Sequence, residues 1–306
     1  MPASPATRTH FLARLKPRNS AAAGRVSLVG AGPGDADLLT VKALRTLQQA
    51  DVIFYDRLVS EDIRALFPSS TPAIYVGKAK DRHSIPQQDL NSLLVETAQL
   101  GLHVCRLKGG DAFVFGRGGE EMLELKQAGI AVDVVPGITA GAGATAYAGI
   151  PLTHRGIAQG VSFVTAHGEK ELHINWSSLA HSGHTLVFYM GLGSAATIAR
   201  ELQSAGLSAN TPAAIIEKGC SAQQRVFTES LAHLPDLVER HQIESPALIV
   251  VGEVVRLREQ LQWLEQIASP EQQDIYAEVA TPVAGNALAS VSNSINKNSP
   301  WEKLSA

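Results

Sequence analysis

The stretch Val26-Ser27-Leu28-Val29-Gly30-Ala31-Gly32-Pro33-Gly34-Asp35 decides the fold. An apolar run ends in glycines, which let the backbone turn tightly and approach a ligand closely. Leu39, Ala43, Leu47 and Ala50 then recur at helical spacing, and residues 52–55 read as the next strand. Strand, glycine loop, helix and strand form the unit of an α/β fold with mostly parallel strands. The glycine spacing is G-x-G-x-G, and Pro33 removes a backbone N–H where a pyrophosphate would take one. A dinucleotide site keeps one point in its favour, Asp56, standing about twenty residues downstream. No G-K-[ST] sequence supports a nucleoside triphosphatase.

Working outward, the unit recurs. Strands are expected over 73–76, 103–107 and 132–135, with helical stripes at Leu90, Leu93, Leu94 and Ala98, stopped by Gly101, and over 120–128, stopped by Gly129. Ser84-Ile85-Pro86-Gln87 has capping-box spacing with proline in the first turn. Beyond a small-residue stretch over 136–153, a second set follows: strands over 161–165, 185–189, 213–217 and 247–251, a helix over 195–205, and a last helix carrying Val254, Leu257, Leu261 and Leu264. The expectation is two α/β domains, 25–136 and 137–267, with an active-site cleft between them. A leader over 1–24, basic and without acids, and a tail over 268–306, rich in Ser, Asn and Ala, read as disordered.

Composition narrows the function classes. With 45% hydrophobic and 18% charged residues the 306-residue chain is a folded globular protein. Its 26 basic and 29 acidic residues give a net charge of -3, so no overall positive field draws in nucleic acid or an anionic membrane. Cys105 and Cys220 form neither a disulfide scaffold nor a zinc motif, which suits a reducing, cytoplasmic compartment. The uncharged stretch 134–153 reaches spanning length, but glycines and alanines fill it and Pro136 and Pro151 bracket it, which excludes a membrane helix. His167 has no partner at metal-ligand spacing, and no metal is expected.

Two further segments carry chemistry. Residues 107–121 hold a strand end and a long glycine loop with Lys108, Gly109, Gly110, Asp111, Arg117, Glu120 and Glu121. Asp111 and Arg117 read as functional, whereas Glu121 divides evenly between a functional role and complementing a helix dipole. Pro136-Gly137-Ile138-Thr139-Ala140 suits close packing or a flat ligand, and Arg155 with Lys78, Arg82 and Arg117 suits a polycarboxylate.

The ordered set of Gly30 to Asp35, Tyr55-Asp56-Arg57-Leu58-Val59, Gly77-Lys78, Arg106 to Asp111, Gly116 to Glu121, Val135 to Thr139 and Pro151 to Arg155 resembles the uroporphyrinogen-III C-methyltransferases of the tetrapyrrole methylase family, over residues 25–264. The resemblance implies a homodimer of two-domain chains and S-adenosylmethionine as methyl donor. It places the donor at Pro33, Gly109, Gly110, Asp111, Val114, Thr139, Ala140, Met190 and Gly219. The implied substrate is uroporphyrinogen III, methylated at C2 and C7 to give precorrin-2 by way of precorrin-1, for sirohaem, cobalamin or haem d1. Asp56 is implied as proton acceptor and Lys78 as donor, with Glu120 beside Arg117 a second base; the choice between Asp56 and Glu120 stays open. Arg117, Arg155 and Lys78 are implied to hold the acid arms. One departure is Glu217-Lys218-Gly219-Cys220, where the family commonly continues Glu-x-Gly-Thr. Roughly 25 residues precede the first strand, fewer than the dehydrogenase and ferrochelatase module of fused relatives needs, so a single activity is expected. A methylase of RNA, a dinucleotide-dependent oxidoreductase and a non-catalytic tetrapyrrole carrier are the rival readings.

Overall fold

A computed structural model describes residues 15, 24–77, 86–166 and 174–264. Lys78, Arg82, Ser84 and His167 lie outside the described residues, as does nearly all of the leader and tail. Both sheets belong to one compact unit ending at Gln262. Of residues 263–306 only 263 and 264 are described.

The first sheet is parallel throughout, in the order β3-β2-β4-β1-β5. Its strands are β1 (Arg25–Gly30), β2 (Val52–Tyr55), β3 (Ala73–Tyr75), β4 (His103–Lys108) and β5 (Ala131–Val135). The central strands β1 and β4 are buried on both faces, β1 as an apolar run and β4 with His103, Arg106 and Lys108 among its buried residues. Helices α1 (Val41–Gln49) and α2 (Glu61–Ala65) cover one face through Ala43, Leu47 and Ile63. Helices α3 (Gln87–Gln99) and α4 (Gly118–Gln127) cover the other through Leu90, Leu93, Leu94 and Leu125, and Leu15 is buried in that same cluster.

Local chemistry starts and stops these helices. Thr40 caps Ala43 N at 3.1 Å, Ser60 caps Ile63 N at 3.2 Å, and Gly129 follows α4 at φ 73°. Pro86 occupies the N-cap of α3 without a side-chain cap, and the Gln87 amide bonds Asn91 and Glu121 instead.

Adjacent strands β1 and β4 send the chain in opposite directions across the sheet, β1 toward β2 and β4 toward β5, on opposite faces. Ligands of open α/β sheets bind at such switch points, beyond the strand C-termini.

Helix α5 (Ala140–Tyr147) leads to a second sheet, ordered β6-β7-β10-β8-β9. Its strands are β6 (Val161–Thr165), β7 (Thr185–Tyr189), β8 (Pro212–Glu217), β9 (Arg225–Ser230) and β10 (Ala247–Val251). Only β6 and β7 pair in parallel; the remaining three pairings are antiparallel, against the expectation of mostly parallel strands. The reason is β9, which the sequence does not announce; it follows β8 as a hairpin and holds no fully buried residue.

Helix α6 (Trp176–Ala180) precedes β7, while α7 (Ala195–Ser204) and α8 (Leu234–Arg240) pack on one face. Ala144 of α5 and Ala148, which caps that helix, pack on the other, beside Val254 and Val255. Those two belong to a 3-10 turn, Glu253–Leu257, which with the short α9 (Arg258–Leu261) replaces the expected single last helix.

Candidate active site

Three backbone segments interlock where β1, β4 and β5 end. Gly32 and Gly110 exchange hydrogen bonds at 3.0 and 2.7 Å, and Ala31 N donates to Lys108 O at 2.7 Å. A Cβ on Gly30 would meet Gly137 N at 2.5 Å and Gly110 O at 2.7 Å, so these glycines are required by close approach of backbone to backbone. Asp111 locks the arrangement, its Oδ1 accepting from Phe113 N at 2.8 Å and its Oδ2 from Gly137 N at 3.1 Å.

The second sheet supplies the opposing wall. Tyr189, at the end of β7, shares its hydroxyl with Thr139 Oγ1 and Gly141 N, each at 2.7 Å, and its ring meets Phe115 at 4.9 Å. Burial pushes the Tyr189 hydroxyl above the ordinary phenol range, so it stays a neutral donor and acceptor. A Cβ on Gly143 would lie 2.5 Å from Pro33 Cγ and 3.3 Å from Cys220 Sγ, which brings the first loop, α5 and the turn after β8 together. Burial holds the Cys220 thiol up at about 12, so it packs as a small apolar group rather than as a nucleophile. Tyr147 donates to Asp35 Oδ2 at 2.6 Å, a second tie between α5 and the first loop.

Pro33, Gly109, Gly110, Asp111, Val114, Thr139, Ala140 and Gly219 thus lie in segments that contact one another. Met190 follows Tyr189, half exposed and at φ 55°. Asp56, after β2, joins the same end of the sheet. Its Oδ1 accepts from Leu58 N at 3.0 Å and Gly109 N at 3.3 Å, while Oδ2 faces Arg106 Nη2 at 3.8 Å, beyond hydrogen-bond distance.

Arg117 and Glu120 are disposed differently. Arg117 grips both oxygens of Glu120 at 3.0 and 2.7 Å on the exposed first turn of α4, and the pair lines the open groove between α3 and α4. That bond is the main cause holding the Glu120 carboxyl below the usual range. Arg155 is exposed in the turn closed by His154 and Ala158, without an ion pair to any described residue.

The sequence names Arg106 and Lys108 within motifs without giving either a role, leaves Glu121 open, and offers no sign of Tyr189. A signal for the two cations was present: charges two residues apart in an apolar strand face the same side of a sheet and need a buried partner. Glu121 is that partner, fully buried, with Lys108 Nζ at 2.8 Å. Burial is the largest influence on Lys108 and lowers its pKa, with Glu121 opposing it.

Among known proteins, residues 25–235 match the family of tetrapyrrole (corrin/porphyrin) methylases. The chain is 55% identical over 245 residues to siroheme synthase of Pseudomonas aeruginosa, covering 80% of this chain and 53% of that one. It therefore spans about half the length of the curated relatives it matches. The uroporphyrin-III C-methyl transferase of Thermus thermophilus, solved with S-adenyl homocysteine, shares 41% identity at a TM-score of 0.67 over 76% of this chain and 100% of that one. A cobalt precorrin-4 methyltransferase superposes with a TM-score of 0.68 at 28% identity, over 76% of this chain and 95% of that one. With the interlocked glycine loops and a family match over more than half of the chain, the chain belongs to the tetrapyrrole methylases and is a methyltransferase.

Proposed function

We propose that this chain is a uroporphyrinogen-III C-methyltransferase, moving two methyl groups in turn from S-adenosylmethionine to C2 and C7, through precorrin-1 to precorrin-2. The observation that carries the reading is Asp56, whose Oδ1 is fixed on Gly109 N and whose Oδ2 makes no hydrogen bond to a described residue and faces Arg106 at 3.8 Å, beside the interlocked glycine loops.

The residues present fit the donor. Gly30, Gly110 and Gly137 crowd backbone against backbone with no side chain between, and the loop holds Pro33 in place of an N–H nest, which suits a zwitterion without phosphate. Pro33, Gly109, Gly110, Asp111, Val114, Thr139, Ala140, Met190 and Gly219 would hold it. When bound, S-adenosylmethionine supplies a sulfonium methyl group to a nucleophilic ring carbon. The chain's own part is mostly to position the two reactants, worth several powers of ten in rate.

Leu58, Phe113, Phe115 and Met190 are large apolar side chains left 49%, 54%, 39% and 49% exposed in or next to these loops. Soluble proteins keep such patches where a ligand covers them, and the face of a macrocycle is of that kind. Asp56 Oδ2 accepts the proton that the ring gives up for each methyl gained, with Lys78 as donor. Glu120 is the weaker candidate, because both of its oxygens are occupied by Arg117. Arg155, exposed and without an ion pair to a described residue, takes a propionate or acetate arm in this reading, with Arg117 and Lys78 as its partners in that role. The chain works as a homodimer in the cytoplasm without a metal, and its product enters sirohaem, cobalamin or haem d1 synthesis. No described helix is long and apolar enough to cross a membrane.

Anaerobic incubation with reduced uroporphyrinogen III and methyl-labelled donor tests this. Mass shifts of one and then two methyl groups are expected. Asp56→Asn should abolish transfer, Glu120→Gln should retain most of it, and Arg155→Met should raise KM for the macrocycle about tenfold while donor affinity holds. No transfer by a protein that binds the donor would assign the methyl groups to another acceptor.

A further inference from the structure

Beneath Asp56 lie three charged side chains that the proposed reaction leaves unused. Arg106 and Lys108 project from one face of β4, and both reach Glu121 Oε1 of α4, Arg106 Nε at 3.4 Å and Lys108 Nζ at 2.8 Å. Arg106 extends Nη2 in the other direction, toward Asp56 Oδ2. The Arg106, Lys108 and Glu121 side chains are 5%, 4% and 0% exposed, whereas Asp56 is 25% exposed. Taking three charges out of water opposes folding, and apolar residues of the same volume commonly serve stability as well or better. The cluster also stands at the C-terminal end of a central strand, where an α/β sheet carries its ligand site. Its opening to solvent is the candidate base.

Two cations and two carboxylates leave the group formally neutral, so each member sets the electrostatic cost of a proton arriving at Asp56. Burial, the largest influence, and the nearby Arg106 lower Lys108, while Glu121 and Asp56 oppose them, so both carboxylates are felt at this ammonium. Other groups facing the cluster are few among the described residues. Glu120 on α4 feels Lys108 but is paired with Arg117, and α3 contributes the uncharged Gln87, whose Nε2 reaches Glu121 Oε1 at 3.2 Å.

We propose that Arg106, Lys108 and Glu121 are positioning residues for proton transfer at Asp56, coupled so that a change of charge at any of them is felt at Asp56 Oδ2. The inference rests on Asp56 being the base. The step breaks one bond to hydrogen on the methylated ring and makes one O–H bond at Oδ2, with the electron pair of the broken bond retained by the ring.

The pH dependence of kcat/KM for methyl transfer to reduced uroporphyrinogen III tests the coupling. Lys108→Met removes a positive charge and should move the acid limb up by about one pH unit; Glu121→Gln removes a negative charge and should move it down by about the same. The double variant, neutral again, should return the limb to the wild-type position, and Lys108→Arg should not move it. Titration with S-adenosylhomocysteine checks that each variant is folded. Should Lys108→Met fail to fold, Glu121→Gln against the double variant carries the same sign test. A cluster with only a structural role would lower stability without shifts of opposite sign. If Asp56→Asn abolishes transfer and the limb stays fixed in every charge variant, the coupling is wrong and the base is right. If Asp56→Asn keeps the wild-type rate and limb, the base is wrong and the coupling falls with it.

Discussion

Replacing Gly30 by alanine puts a methyl carbon 2.5 Å from Gly137 N, 2.7 Å from Gly110 O and 2.7 Å from Gly137 Cα. All three are backbone atoms, so no side chain can rotate out of the way. Restoring an ordinary contact of 3.4 Å requires the end of β1 and the two loops to part by 0.7–0.9 Å. Overpacking of this kind costs about 1–3 kcal/mol, offset by about 0.4–1 kcal/mol from the stiffer unfolded chain. The net of about 0–2.6 kcal/mol lowers Tm by up to about 10 °C. Function should suffer more than stability. The same displacement strains the Gly32–Gly110 pair and draws Gly137 N away from Asp111, and a shift near 1 Å in a positioning element costs about a hundredfold in rate. Thermal unfolding, S-adenosylhomocysteine titration and kcat/KM read the three effects separately. Gly119→Ala is the control, because a Cβ there meets nothing within 4 Å and alanine should stabilise the first turn of α4 by up to about 1 kcal/mol. A Gly30→Ala protein with wild-type Tm, ligand affinity and turnover would refute the close-approach argument.

Two further predictions concern stability. Tyr189→Phe keeps the ring against Phe115 but removes the hydroxyl that bridges Thr139 and Gly141 N, and leaving that N–H unpaired should cost about 1–3 kcal/mol in urea unfolding. An unchanged midpoint would show that water replaces the hydroxyl. His103, buried at the start of β4 with Ser27 at 2.9 Å, has its pKa lowered first by burial and then by Arg25. A lowered histidine binds its proton more readily in the unfolded chain, so its contribution is full above about pH 6.5 and is lost as pH falls below that value toward the folded pKa. Unfolding free energy should therefore fall less between pH 7.5 and 5.5 in His103→Gln than in the wild type; equal falls would remove His103 from the account.

The first sheet was legible because its central strands are buried on both faces: β1 and β2 appear as apolar runs, and β1 and β4 are closed by glycines that only a tight turn or close approach explains. The second sheet was legible in its strands but not in its pairing. β9 carries Arg225, Thr228, Glu229 and Ser230, an edge-strand composition that hydrophobic periodicity cannot separate from loop. Loop positions of the site could be read from Gly30 to Asp35 and Gly109 to Asp111, since short-range backbone demands leave a local trace. Tyr189 and Glu121 could not, because each acts across the fold: Tyr189 on residues 48 and 50 positions away, Glu121 on a strand 13 residues before it. Nothing local separates Glu120 from Glu121. The helix turns the first to solvent with Arg117 and the second into the core with Lys108.

Backbone strain converges on the same place. Of the six non-glycine residues in the left-handed region among the described residues, Phe115, Arg117, Met190, Lys218 and Cys220 lie in the three loops after β4, β7 and β8, and only Gln242 lies elsewhere. Each such conformation costs about 1–3 kcal/mol, which glycine would largely avoid. Glycine is not scarce in these loops, since Gly109, Gly110, Gly116, Gly191 and Gly219 occupy neighbouring positions. A side chain is therefore present at each strained position in spite of its conformational cost. Phe115 lies on the Tyr189 ring and Cys220 lies against Gly34 and the Gly143 backbone, while Arg117 holds Glu120. A sheet end that combines strained side chains, a buried charge cluster and exposed apolar residues gives up stability through three independent terms. The proposed ligand would give the features a common use, since a charged, partly apolar molecule would cover the exposed apolar residues and meet the charge cluster through Asp56.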